Sequence, residues 1–126
     1  MPNACDVLTE AIAKKYLGAG AQLRIKAQPN AKMSQCQYGS DRGVITVMVG
    51  PWSMIHTANP VEKPAAGLGD EAYNAPGGLY VRKGAGGLNV NIIVTSGEFW
   101  GAAADSAEAQ TVAAEAKVAP DLLAKL

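Results

Sequence analysis

Leu79-Tyr80-Val81-Arg82-Lys83-Gly84-Ala85-Gly86-Gly87-Leu88-Asn89-Val90-Asn91-Ile92-Ile93-Val94 is the stretch on which the fold turns. Leu88, Val90, Ile92 and Val94 fall on one side of an extended chain and Asn89 and Asn91 on the other, the period of a half-buried strand. Lys83 to Gly87 is a glycine-rich turn, so Leu79 to Arg82 pairs back onto that strand as an antiparallel hairpin.

Upstream, Val44-Ile45-Thr46-Val47-Met48-Val49 is β-branched nearly throughout and suits the middle of a sheet. Ser34 to Tyr38 precedes it across the loop Gly39 to Gly43 and sets Cys36 and Tyr38 on one face. Before that, Leu23, Ile25 and Ala27 alternate with Gln22, Arg24 and Lys26 until Pro29-Asn30 ends the run. Strand character returns near Glu71-Ala72-Tyr73. Between Gly50 and Gly69, Pro51, Pro60 and Pro64 favour an ordered loop, with a helical turn possible from Ser53 to Thr57.

Both ends read as helix. From Cys5 to Gly18, Leu8, Ile12 and Tyr16 share a face opposite Lys14 and Lys15, with Thr9 or Asp6 to cap the start. After Trp100-Gly101, Asp105 and Glu108 have capping-box spacing, and Val112, Ala116, Ala119, Leu123 and Leu126 trace an apolar face. Pro120 is expected to break that helix near Val118-Ala119 and leave a short second piece. The expectation is an α+β fold: an antiparallel sheet of about five or six strands packed against N- and C-terminal helices as a two-layer sandwich. At 126 residues, one domain over 1–126 is expected, without internal repeats.

Eleven basic and eleven acidic residues cancel, so no overall field draws the chain to a polyanion. The basic residues are scattered, with doublets only at Lys14-Lys15 and Arg82-Lys83, and a nucleic-acid partner is not expected. No apolar run approaches the ~20 residues of a membrane span. Met1-Pro2-Asn3-Ala4 lacks the charged start and apolar stretch of a signal peptide, which leaves a cytosolic chain or one whose leader was removed. Cys5 just inside the start favours removal.

Cys5 and Cys36 are the two cysteines, and two states are open to them: a disulfide stapling helix to sheet, or two buried thiols in a reducing compartment. Their spacing excludes a Cys-X-X-Cys redox pair. With one histidine they fall a ligand short of a structural zinc site unless a carboxylate joins.

Several short stretches, in order, resemble the small uncharacterised cell-envelope lipoproteins typical of mycobacteria and their relatives, a domain of unknown function. They are Ala4-Cys5-Asp6-Val7-Leu8-Thr9 leading into a helix that ends at Gly18, Ser34-Gln35-Cys36-Gln37-Tyr38, and Gly67-Leu68-Gly69-Asp70-Glu71-Ala72-Tyr73 ahead of Gly78-Leu79-Tyr80-Val81-Arg82-Lys83-Gly84. The resemblance implies export, a Cys5–Cys36 disulfide and an antiparallel sheet with flanking helices, and it carries no catalytic residues. Two features depart from that pattern. Cys5 follows Asn3-Ala4 without an apolar leader, and Pro51 to Ala66 is shorter than the helix-bearing linker usual there.

Candidate chemistry is thin. His56 is the only histidine, its proline-flanked loop reads as surface, and no Gly-X-Ser-X-Gly elbow supplies a nucleophile. Met48, Met54 and His56, with Met33 nearby, offer soft ligands for Cu(I), although methionine is as readily a filler of core gaps. Gly67-Leu68-Gly69-Asp70-Glu71-Ala72 matches the dinucleotide fingerprint formally, but a strand follows where a helix is needed. Gly67, Gly69 and Asp70 therefore read as a turn entering that strand, with glycines free to take positive φ. Asp70 and Glu71, as strand neighbours, are expected on opposite faces.

Trp52, Tyr73, Phe99 and Trp100 lie in or beside loops and form the candidate recognition patch. The reading is a non-enzymatic secreted or cell-envelope binding module for an unknown protein, lipid or small molecule, with no cofactor and no resident metal. Membrane association would come only through a removed leader or a lipid anchor. A self-assembling structural subunit is the alternative, and a copper carrier using Met48, Met54 and His56 the third reading.

Overall fold

The computed structural model describes residues 2–28, 32–95 and 107–126. Eleven elements follow one another there: α1 (Ala4–Val7), α2 (Glu10–Leu17), β1 (Gln22–Ile25), β2 (Ser34–Ser40), β3 (Gly43–Pro51), α3 (Trp52–Ile55), β4 (Lys63–Pro64), β5 (Glu71–Ala75), β6 (Gly78–Lys83), β7 (Gly86–Val94) and α4 (Ala107–Leu123). The fold is α+β. Seven strands form one antiparallel sheet in the order β1-β2-β3-β7-β6-β5-β4.

The strand count exceeds the expected five or six because β4 is two exposed residues with no alternation of its own. Its partners Asn74 and Tyr73 define it, so nothing in Lys63-Pro64 could announce it. The other six lie near the expected stretches, but β1 is not half-buried as its alternation suggested: Leu23 and Ile25 are exposed at the sheet edge.

One face of the sheet carries the core. Cys36, Val47, Val90 and Leu79 run across four strands as direct partners, and Val49, Leu88, Val81 and Ala72 form the neighbouring row. All eight are buried. Helices α1 and α2 cover β2 and β3, while α4 covers β7 and β6. Burying these Val and Leu side chains contributes about 1.5–3 kcal/mol each, which offsets the small area the alanines supply.

The N-terminal helix is two helices. Asn3 caps α1, its side chain accepting from the Cys5 and Asp6 amides while Asp6 accepts from the Asn3 amide. Thr9 caps α2 by accepting the Ile12 amide. The break leaves Val7 and Leu8 fully buried, which one straight helix with a single apolar stripe would not do. Buried Ser34 accepts the Ala4 amide at 2.8 Å, and Ser40 donates to the Leu17 carbonyl, fixing both helices to β2.

Cys5 and Cys36 are joined by a disulfide with their Cα atoms 5.2 Å apart, linking α1 to the sheet. The reduced-thiol alternative is therefore set aside. Such bonds belong to chains that fold in an oxidising, extracytoplasmic compartment.

Helix α4 runs through Pro120 without a break. Proline removes one hydrogen bond to the residue four before it, Ala116, and both Pro120 and Ala116 face water. The lost bond is thus on the wet side, while Val118, Ala119 and Leu122 hold the dry side against the sheet. The apolar stripe is partly the expected one, with Ala119 buried and Leu123 and Leu126 packed against the core, but its first two turns are shifted. Ala114, Glu115, Val118, Ala119 and Leu122 are buried, whereas Ala116 and Val112 are exposed. A carboxylate in the stripe disguised it. Asp105 and the Glu108 side chain, the expected capping box, lie outside the described residues.

Helices α2 and α4 meet at Asp121, which accepts from Tyr16 at 2.6 Å and Lys15 at 2.8 Å. Lys15 and then Tyr16 hold the Asp121 carboxyl below its ordinary range, while burial first and Asp121 second push the Tyr16 hydroxyl up.

Candidate functional site: an aromatic stack on the second face of the sheet

The face opposite the core carries one helical turn, α3, and the site is built around it. Pro51 closes β3 opposite Gly86, and the Trp52 amide then bonds to the Ala85 carbonyl at 2.9 Å. That bond turns the chain over the β6–β7 hairpin end. Trp52 and His56 are four residues apart, the spacing that stacks side chains one turn above another. Their rings lie 4.5 Å apart and within 8° of parallel. Beneath them is Gly87, where a Cβ would come within 2.9 Å of the Trp52 ring and 3.1 Å of Ile55. Only glycine lets α3 approach so closely.

Tyr73 and Tyr80 complete the cluster. They are direct cross-strand partners in the β5–β6 hairpin, on the face opposite Ala72 and Val81. The His56 ring stacks on Tyr73 at 5.1 Å and 17°, and meets the Tyr80 edge at 5.9 Å and 65°. Each such ring pair adds about 0.5–1.5 kcal/mol beyond its buried area. His56 is therefore clamped between two aromatic faces.

Its Nε2 is 2.7 Å from Glu62 Oε2, and the two side chains are only 13% and 16% exposed. The loop that delivers Glu62 is shaped by Asn59, whose side chain accepts the Val61 amide while its carbonyl accepts the Glu62 amide, an Asx turn. The β5–β6 turn on the other side is tied down by Asn89 and Asn91, both donating to the Gly77 carbonyl. Between loop and turn a cavity of about 220 Å³ opens beside His56, Glu62 and Tyr80.

The expected patch is partly assembled. Trp52 and Tyr73 stand on either side of His56, and Phe99 and Trp100 lie outside the described residues. His56 itself is not the surface residue its loop suggested, because the rings bury it. Tyr80 and Glu62 belong to the site and were not anticipated. Tyr80 was findable: Pro76-Gly77 makes a turn between Tyr73 and Tyr80, and pairing across it puts the tyrosines opposite each other. Glu62 had no local signal, since its partner lies across a loop.

The remaining candidates lie elsewhere or do other work. Gly67 and Gly69 have φ of 80° and 57°, and a Cβ at Gly69 would strike the Arg82 carbonyl oxygen. Asp70 accepts the Gly84 amide at 2.6 Å and so closes the β6–β7 turn. Asp70 and Glu71 are not on opposing faces: their oxygens lie 3.8 Å and 3.2 Å from the same Arg82 guanidinium. Asp70 precedes the strand, where alternation does not apply. Met54 is half exposed on α3 and Met48 lies in β3, while His56 already has Glu62 on Nε2 and aromatic rings on both faces.

Chemically, the His56–Glu62 couple is the closest approach to a catalytic pair. Among the described residues no hydroxyl or thiol is hydrogen-bonded to the His56 ring. No group of three or more His, Cys, Asp or Glu side chains is placed to hold a metal there either. No helix among them is long and apolar enough to cross a membrane. Neither a protein-family model, nor a curated protein, nor a solved structure matches this chain.

Proposed function

We propose that this chain is a non-enzymatic binding module of a secreted or cell-envelope protein, with the Trp52–His56–Tyr73 stack as its recognition element. One observation carries the reading: three stacked rings and a half-buried Glu62 are organised on a sheet face that the core does not use. Aromatic groups held rigid at a half-exposed surface lose little entropy on binding, which is why such groups dominate recognition sites. The cavity of about 220 Å³ falls below the ~300–1,000 Å³ of sites for whole drug-sized ligands, so it suits one side chain or one small ring of a larger partner. The disulfide and the resemblance to mycobacterial-type envelope lipoproteins support an extracytoplasmic site of action.

The test uses a Trp100→Phe variant, in which Trp52 is the sole tryptophan. Its fluorescence and the His56 ring resonances are followed while monosaccharides, N-acetylated sugars, free amino acids and short peptides are added. At least one class is expected to quench Trp52 and shift His56, with Tyr73→Leu abolishing both responses. Silence of both probes across the panel would reduce the cluster to packing.

A further inference from the structure

A second concavity lies across the Ala75–Pro76 turn from the aromatic stack, a groove of about 1130 Å³ between that turn and α4. Its walls include Val61, Pro76, Val112 and Ala116, and two of these are large apolar side chains left open, Val61 at 60% and Val112 at 37%. Glu115 also lines it and is 2% exposed. This carboxyl is the one anionic group of the groove among the described residues. Lys63, the other titratable residue there, is exposed at the rim, where solvent screens it.

Glu115 is where it is because β6 stops short. Pairing of β6 with β7 runs only to Leu79 with Val90, and the Ile92 amide, two residues on, donates to Glu115 Oε2 at 3.1 Å. Among the described residues the Ile92 amide is the one donor to this carboxylate, which has acceptor sites for several, and no side-chain oxygen there is both buried and unsatisfied. Burial pushes this acid up to about 7, with the Ile92 amide pulling weakly the other way. When ionised, Glu115 is a buried carboxylate beside open apolar surface, and among the described residues no cation is paired with it.

We infer that the groove binds an amphiphile with an aliphatic body and a terminal primary ammonium, the body lying on Val61, Pro76 and Val112 and the ammonium meeting the Glu115 carboxylate. The ammonium supplies further donors and the opposite charge, and the chain covers the apolar walls. This site is distinct from the aromatic stack and stands or falls without it.

Octylamine, octanol and octanoate, each below its micelle concentration at pH 8.5, are the probes, and the amide resonances of Val61, Val112 and Ala116 are the readout. Octylamine is expected to bind roughly tenfold or more tighter than octanoate, with octanol between, because a hydrogen-bonded buried charge discriminates by at least that factor. Glu115→Gln keeps an acceptor for Ile92 and should reduce octylamine to the affinity of octanol. If that variant does not fold, the wild type at pH 5 gives the same contrast, since protonated Glu115 has no charge to offer. Binding of octanoate or octanol as tight as that of octylamine, or no shift at these residues with any probe, overturns the proposal.

Discussion

Glu115 makes stability depend on pH in an unusual direction. Its carboxyl is pushed up to about 7 in the folded protein against an ordinary 4.5, chiefly by burial. Between those values the folded chain holds a proton that the unfolded chain releases. Its contribution to stability is therefore full below about pH 4.5 and lost as pH rises through about 7. The difference corresponds to about 3 kcal/mol, a large part of the ~5–15 kcal/mol of a typical domain. Asp121 works the other way, since its lowered carboxyl costs stability only as pH falls below the ordinary 3.8. The two windows do not overlap. Urea unfolding followed by circular dichroism at pH 4.5, 6 and 8 separates them. The wild type should lose about 3 kcal/mol across that range, and Glu115→Gln should be nearly flat, equal to the wild type at pH 4.5 and more stable at pH 8. A wild-type profile that is level, or a variant that follows its slope, would refute the burial argument.

Reducing the Cys5–Cys36 bond, or replacing both cysteines by alanine, should cost about 3–4 kcal/mol for the separation of 31 residues, lowering Tm by roughly 10–15 °C in thermal melts. An unchanged Tm after complete reduction would contradict it. Gly78→Ala should destabilise by roughly 3 kcal/mol or more, because φ is 124° and the new Cβ would strike the Val90 carbonyl. Gly84→Ala, with φ of 63° and open space around it, should cost only about 1 kcal/mol; equal losses in denaturant titrations would show that steric contact is not the deciding factor. Pro120→Ala should stabilise by roughly 1–2 kcal/mol by restoring the Ala116 hydrogen bond, and a loss of stability would mean that proline is needed there for shape.

Alternation located the core face of the sheet because Ile45, Val47, Val49, Leu88, Val90 and Ile92 obey it strictly. Periodicity failed on α4 for a physical reason. It assumes that charge seeks water, and Glu115 is held inside by an amide that the sheet cannot pair. It failed at Val7 and Leu8 because two capping residues, Asn3 and Thr9, start two helices where one stripe suggested a single one. At the candidate site, Trp52 and Tyr73 were legible as exposed-type aromatics, and the four-residue step from Trp52 to His56 was a usable clue. The stack on Tyr73 and the 2.7 Å hydrogen bond with Glu62 depend on strand register and loop path, which local sequence does not encode.

Every neighbouring pair of strands but one is also consecutive in sequence; the exception is β3 with β7, joining Gly43 through Pro51 to Val94 through Gly86. Hairpins close in microseconds, whereas uniting distant segments must first overcome the closure entropy of all the chain between them. The slow event in folding is thus expected at this central junction, so that Val47→Ala should retard refolding in stopped-flow and Ala72→Gly should not; equal retardation would argue otherwise. Cys5 and Cys36 both precede the junction. As a chain emerges N-terminus first into an oxidising space, its thiols can couple before the later strands arrive. The waiting intermediate is then a covalently locked half-sheet whose β3 edge lies bare, and that interval is when the molecule is most open to aggregation.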